Sequence, residues 1–364
     1  MVKIKDITNY LESIAPRSLQ ESYDNAGLIT GNGNEEVKGI LCTLDCIESI
    51  VDEAIQKKCN LIVAHHPIVF RGLKQLNGKN YVERTVIKAI KNDIAIYAIH
   101  TNLDNVMNGV NAKFASLIGL QDIKILAPKA NTLLKLETFI PVEQTEEVLD
   151  AIHSAGAGNI GNYSECSFRI LGTGSFKPNE DANPLVGTKN QKELVQENKV
   201  EIIFPEYAKG NVLGALNQAH PYDEVAYYLT KLENKNNQIG SGMIGTLKDA
   251  LEPEAFLKYL KEKLKLDLIK FTPVQKEIKC VALCGGSGSF LLKAAIAQGA
   301  DAYISADFKY HEYFDAEQKV MIADIGHYES EVATKELLDA FISEKFPNIA
   351  SYLSEVDTNP VQYF

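Results

Sequence analysis

Through the first 125 residues, short apolar runs alternate with stretches of helical spacing. "VKGILCTLD" at 37–45 reads as a strand, and "CIESIVDEAIQKKC" at 46–59 carries its apolar residues at helix period. "NLIVAHHP" at 60–67 is a second strand, stopped by Pro67. "NYVERTVIKAIKNDI" is a helix, "IAIYAIHTNLD" a strand with a loop, and "VNAKFASLIGL" a further helix. The opening "MVKIKDITNYLESIAPRSLQ" has the pattern of an amphipathic first helix rather than a leader. Strand–helix–strand order at this spacing predicts a mostly parallel sheet covered by helices.

The pattern changes near residue 126. The stretch 133–176 reads strand, helix, Gly-rich turn, strand, and 199–232 repeats strand, helix, turn, strand. Two such halves predict an α+β ferredoxin-like unit, joined by the polar loop "KPNEDANPLVGTKNQKE". A second boundary is expected at "ENKNNQIGSGMIG", whose composition is that of a linker. The α/β pattern then returns in "IKCVALCGGSGSFLLKAAIAQGADAYISADF" and "KVMIADIGHYESEVATKELLDAF". The expected organisation is an α/β body, residues 1–125 and 244–364, split by an inserted domain at 126–243. An internal repeat supports two related halves: "KGILCTLD" at 38–45 aligns with "KCVALCGG" at 279–286. The same offset carries "LIVAHHP" onto "AYISADF", so that His66 falls on Asp307.

Four strand ends carry polar groups. They are His65 and His66; His100, Thr101, Asn102 and Asp104; Asp307, Lys309 and His311; and Asp324, His327, Glu329 and Glu331. Ligands bind beyond the carboxyl ends of strands in open parallel sheets. Five of the seven histidines lie in these loops, which a surface scatter would not give. His327 and Glu331 are four residues apart, on one face of an expected helix. His65, His66, Asp104, His327 and Glu331 form a nitrogen and oxygen set suited to Zn, Mn, Fe or Co, with carboxylates able to bridge two ions. Taken singly, each residue also has a structural reading: Asp104 as a turn former, Glu331 as a first-turn helix carboxylate, His100 as a satisfied ring. "CGGSGSF" lacks the P-loop ending and is read as a tight turn, with Gly285, Gly286 and Gly288 beside the crevice and free to receive a phosphate. In the inserted domain, His220 and Tyr222 precede an aromatic strand, and Phe176 or Arg169 are candidate contacts to a ligand from another subunit.

Net charge is −11, which argues against a broad nucleic-acid footprint. No apolar span reaches membrane length, so a cytoplasmic protein is expected. Cys42, Cys46, Cys59, Cys166, Cys280 and Cys284 form no CxxC and are read as core thiols in a reducing compartment.

The motifs "YDNAGL" (23–28), "AHHPIVF" (64–70), "HTNLD" (100–104), "GGSGS" (285–289), "SADFKYHE" (305–312), "DIGHYESE" (324–331) and "DTNP" (357–360) span nearly the whole chain. Together they resemble the NIF3-like family, also called DUF34 proteins or GTP cyclohydrolase 1 type 2 homologues. The resemblance implies a two-lobed α/β body carrying a PII/CutA-like insertion, and a toroidal homohexamer. It implies two divalent metal ions per subunit on His65, His66, Asp104, His327 and Glu331, with Glu331 bridging and Asp104 a second candidate bridge. His100 and His311 would be proton-transfer groups, and Asp45 would lie nearby. Asp307 stands where many relatives have glutamate after a Thr-Gly pair, so "SAD" departs from the pattern. The family name implies attack at purine C8 of GTP with ring opening and formate loss. A similar centre would also suit phosphoester or amide hydrolysis. A metal-handling protein without turnover, and a ring that senses a small ligand through its insertion, are the other readings.

Overall fold

The alternating runs condense into two compact units in the computed structural model, which describes residues 1–364. Met1–Pro128 and Gln238–Phe364 form one unit, and Lys129–Asn237 the other. In chain order the strands are β1 (Gly27–Thr30), β2 (Ile40–Thr43), β3 (Leu61–Ala64), β4 (Ala95–Ala98) and β5 (Gln121–Ala130). Next come β6 (Leu133–Pro141), β7 (Phe168–Phe176), β8 (Glu193–Pro205) and β9 (Tyr227–Leu232). The last are β10 (Lys235–Leu251), β11 (Lys270–Phe271), β12 (Ile278–Ser287), β13 (Ala302–Ala306), β14 (Met321–Asp324) and β15 (Ser351–Leu353).

The first unit holds two sheets, ordered β1-β4-β3-β2-β15 and β11-β14-β13-β12-β10-β5. Each has a parallel trio, β4-β3-β2 and β14-β13-β12, with an antiparallel edge strand, β1 or β11, outside it. The trios share a register. Ile40 pairs with Leu61 and Val281 with Ala302, which is the offset of the sequence repeat. Every residue of β2, β3, β4 and β14 is buried, as strands covered on both faces must be. The crossover helices Glu48–Gln56 and Tyr81–Lys91 supply that cover through Ile50, Val51, Ala54, Val86 and Ala89. The second sheet is less parallel than the pattern predicts, since β10 runs antiparallel to β12 and β11 antiparallel to β14.

Two sequence expectations are corrected here. The stretch 233–245 is not a linker, because β10 runs through most of it. Its glycines are there for close approach: a Cβ at Gly240 would stand 2.2 Å from the Ala127 carbonyl, and one at Gly245 2.7 Å from that of Gln121. Nor is "GGSG" a turn after a strand. Gly285, Gly286 and Ser287 form a bulge at the end of β12, where the register against β13 slips between Leu283 and Ser287 and Gly286 takes φ +60°, and Gly288 follows the strand.

The second unit runs strand, helix, strand, strand, helix, strand. Its sheet is ordered β7-β8-β6-β9, and all neighbours are antiparallel. The helices Thr145–Ser154 and Lys209–Ala219 cover one face, packing on Leu134, Leu136, Ile140, Val200, Ile202 and Phe204. Period-two alternation sends Lys135, Glu137, Lys199 and Glu201 to the other face, where they pair with one another. No helix is long and apolar enough to cross a membrane, and all six cysteines are free thiols.

Candidate metal centre

The chain leaves the β3 ladder after Ala64 while two more amides still reach across to the β2 side, His65 to the Thr43 carbonyl and His66 to that of Leu44. The two rings therefore turn toward one crevice, with centroids 5.0 Å apart. The His65 ring is fully buried. Its Nδ1 donates to the Ile99 carbonyl at 2.9 Å, which leaves the Nε2 lone pair facing inward. His66 Nδ1 donates to Asp45 Oδ1 at 2.7 Å, and Asp45 Oδ2 accepts from the Thr358 hydroxyl at 2.6 Å. His327, at the start of the five-residue helix His327–Glu331, is held the same way, its Nδ1 donating to Asp307 Oδ2 at 2.6 Å. Three imidazoles thus have one nitrogen fixed by a carbonyl or carboxylate and the other aimed at a common centre, the arrangement that orients metal-ligating histidines.

Glu331 lies at that centre. Its Oε2 is 3.0 Å from His66 Nε2 and 3.1 Å from His327 Nε2. Its Oε1 faces His65 Nε2 at 4.0 Å, and Asp104 Oδ1 is 3.7 Å from the same nitrogen. The ligand atoms of His65, Asp104 and Glu331 all lie within 4.8 Å of one another, as do those of His66, His327 and Glu331. His65 Nε2 and Asp104 Oδ1 are buried without any hydrogen-bond partner. Orphaned buried polar atoms are rare because each is costly, so two that face each other mark a place for a cation. The donor set fits a divalent transition metal.

Charge is distributed unevenly across the cluster. Burial drives His65 down to about 3, so its ring is neutral. Burial also opposes the charged form of His66, but hydrogen bonds to Asp45 and Glu331 outweigh it and raise the group to about 10. His327 rises to about 9, as Glu331 and Asp307 outweigh its burial. Burial, reinforced by the charge of Glu331, pushes the Asp104 carboxyl well above the usual range. Glu331 is pulled well below that range because its bonds to His327 and His66 overcome its own burial.

The family profile described as Duf34/NIF3 (NGG1p interacting factor 3) matches residues 2–360. The chain belongs to the DUF34/NIF3 family. It is similar to a Bacillus subtilis protein named GTP cyclohydrolase 1 type 2 homolog, 36% identical across 99% of this chain and 98% of that one. A Halalkalibacterium halodurans protein of the same name is 38% identical over 98% of each chain. Among solved structures, a Bacillus cereus protein related to NIF3 superposes with a TM-score of 0.87 at 36% identity, covering 100% of this chain and 99% of that one.

Other site residues fall in and around this cluster. His100 joins His65 and His66, and its Nδ1 donates to Asp24 Oδ1 at 2.8 Å. Asp24 also accepts from the Thr101 amide and hydroxyl; these bonds outweigh its burial and hold it at about 2. Gly285 and Gly286 press on Glu331, where a Cβ at Gly286 would stand 2.5 Å from Oε1. Their amides are already given to Asn111 Oδ1 and Ser330 Oγ, so neither is free for the phosphate that the sequence allowed. Gly288 faces Tyr303 and Ser305 rather than the crevice. His311 is exposed on the 3-10 segment Tyr310–Ala316, with its ring against Tyr310 and Phe314, and the fold does not bring it into the cluster. Asp324 is buried but bonded to Tyr313 and Lys270. A cavity of about 430 Å³ opens beside Asp45, His66, Asp307 and His327, with Lys270 on its wall. Sequence reasoning gave no role to Asp24, Thr358 or Ser330, although "YDNAGL" and "DTNP" contained the first two.

Proposed function

We propose that this protein is a hydrolase of a nucleotide-like small molecule and works with two divalent metal ions bridged by Glu331. The observation that carries the reading is the split carboxylate. Glu331 Oε1 faces the orphaned pair His65 Nε2 and Asp104 Oδ1, while Oε2 faces His66 and His327. His65, Asp104 and Glu331 would hold one ion, and His66, His327 and Glu331 the other. Bound ions of this kind supply an activated water and stabilise a leaving oxygen. The protein's part is to orient the ligands through Ile99, Asp45 and Asp307, and to place a proton carrier. His100 suits that task, because Asp24 fixes its Nδ1 and its ring lies 5.2 Å from that of His65 and 5.4 Å from that of His66. His311 has no part in this proposal. The shared name of the curated relatives makes GTP the first substrate to try, with ring opening at C8, followed by phosphoesters.

The test is elemental analysis of protein purified without a histidine tag, then assay of the metal-loaded form. About two ions per chain, with both lost in Glu331→Ala and turnover above that of free metal, is the expected result. Retention of two tightly bound ions in both His66→Ala and Glu331→Ala would sink the ligand set. Stoichiometric metal without turnover would favour a metal-handling role. One observation speaks for that second reading: Glu331 already pairs with His66 and His327, a closed state from which an ion could be taken up and released.

We further infer that the second unit, Lys129–Asn237, is the ferredoxin-like, PII/CutA-like insertion that the sequence placed at 126–243. The order β9-β6-β8-β7 in a strand-helix-strand-strand-helix-strand unit supports this. A toroidal homohexamer is inferred from the family resemblance, and light scattering tests it. The free thiols support a reducing, cytoplasmic setting.

A further inference from the structure

The open face of the second unit's sheet carries a line of glutamates that are not treated alike. Lys135 and Lys199 lie between Glu137 and Glu201, at 2.8–3.3 Å, and neutralise both. Glu197 is on the same face of β8, two positions beyond Lys199, and is more deeply buried than either, at 7% exposure. No cation reaches it. Its Oε1 accepts from the Tyr222 hydroxyl at 2.9 Å, and Oε2 takes no hydrogen bond from the protein. Oε2 is left to a cavity, where a largely buried carboxylate with no counter-charge favours a cation as its partner.

What surrounds Glu197 indicates the missing partner. It forms part of the wall of a cavity of about 560 Å³, a size suited to a small organic ligand. Phe139, Phe176, Tyr222 and Tyr228 present four aromatic rings to that space, set edge to face as Phe139–Tyr228 at 6.0 Å and tilted as Phe176–Tyr222 at 6.1 Å. The site is built. His220 Nε2 donates to the Phe139 carbonyl at 3.0 Å, and His220 Nδ1 accepts from the Tyr222 amide at 3.1 Å, which ties two of the rings together. A Cβ at Gly174 would stand 2.0 Å from Glu197 Oε2, so a side chain there would push the carboxylate aside. The rim adds Asp181, Asp223 and Glu224 against the single cation Lys177. Phosphates and carboxylates are repelled by this balance. Aromatic faces with one buried carboxylate are the chemistry that selects an ammonium group.

We propose that this cavity binds a small organic cation, an amine or quaternary ammonium compound with an apolar body, through the four rings and Glu197. The site lies wholly within residues 139–228 and does not depend on the metal reading.

The experiment uses the full chain and three probes: phenyltrimethylammonium, its uncharged isostere tert-butylbenzene, and ATP. Binding is followed by calorimetry and by the N-methyl proton resonances of the first probe, which ring currents shift upfield inside an aromatic cage. Phenyltrimethylammonium should bind once per chain and at least about tenfold more tightly than tert-butylbenzene, and ATP should not bind here. Glu197→Gln keeps the shape and should weaken the cation about tenfold, with metal content unchanged. Phe176→Leu is a second variant, on the cavity wall, and should remove most of the upfield shift if Glu197→Gln does not fold. Absence of phenyltrimethylammonium binding, equal affinity for the isostere, or full affinity in a folded Glu197→Gln protein overturns the proposal.

Discussion

On the proposed two-ion reading, the two halves of the cluster differ in how many protons a metal must displace, and this has a measurable consequence. In the first half, His65 is neutral, held at about 3 by burial, and Asp104, whose carboxyl burial pushes up, is the one group that can hold a proton against the metal. In the second half both imidazoles are charged at neutral pH, His66 near 10 and His327 near 9. Deprotonating His66 at pH 7 costs roughly 4 kcal/mol. His327 would add nearly 3 kcal/mol, but its side chain is 41% exposed, and solvent screening removes about half of that. The second ion therefore faces a proton penalty of about 5 kcal/mol at pH 7, some three to four decades of affinity. The charge of the first ion lowers both imidazolium groups, so this figure is a ceiling.

Sequential loading follows. Metal-free protein titrated with Mn²⁺ at pH 7 should fill one site well before the other. The second ion should release more protons than the first, approaching two, and its affinity should climb by up to about 100-fold per pH unit between roughly 6.5 and 8.5. Calorimetry in two buffers of different ionisation enthalpy counts the protons directly. Two ions of equal affinity, or a second ion that releases fewer than one proton, would refute the charge assignment drawn from the hydrogen bonds of His66 and His327.

Asp45→Asn keeps the shape but removes the charge that helps His66 hold its proton, so the second ion's affinity should rise less steeply with pH while the first is unaffected; Mn²⁺ titrations at pH 7 and 8.5 separate the two. Gly286→Ala combines φ +60° with a contact 2.5 Å from Glu331 Oε1, and should cost about 1–3 kcal/mol as well as metal, whereas Gly299→Ala, at φ +75° with open space around it, should cost strain alone. His65 in the folded chain lies at about 3, below its unfolded value of roughly 6.5, so the unfolded chain takes up that proton first. Its contribution is whole above about 6.5 and falls with pH toward 3: at pH 5 metal-free protein should have lost roughly 2 kcal/mol that His65→Gln does not lose, and parallel urea curves for the two proteins would contradict this. His311→Ala should leave metal content unchanged, because that ring is exposed away from the cluster.

What the sequence reveals about this protein is position along the chain, and what it hides is direction and register. The strand ends were legible because Leu61–Ala64 and Met321–Asp324 are short apolar blocks followed at once by polar groups. The repeat was legible because both parallel trios keep one offset, and it correctly placed His66 and Asp307 at matching ends. Asp307 then meets the cluster by holding His327, a role no spacing could indicate. His311 lies four residues beyond Asp307, inside the 3-10 segment Tyr310–Ala316, and points elsewhere. The Ile99 carbonyl, which fixes His65, has no side-chain signature at all. Glycine was misread for a related reason: at 240, 242 and 245 its composition suggests a linker, but a neighbouring backbone or packed side chain requires it. The unpaired glutamate follows the same logic. Glu137 stands opposite Glu201 across β6 and β8, and Phe139 opposite Lys199, so two lysines come within reach of two carboxylates. Two positions further along, Glu197 stands opposite Pro141, which brings no charge. A glutamate every four residues on one face is visible in the chain. Which of them meets a lysine depends on the partner strand's register, and that is set by the fold.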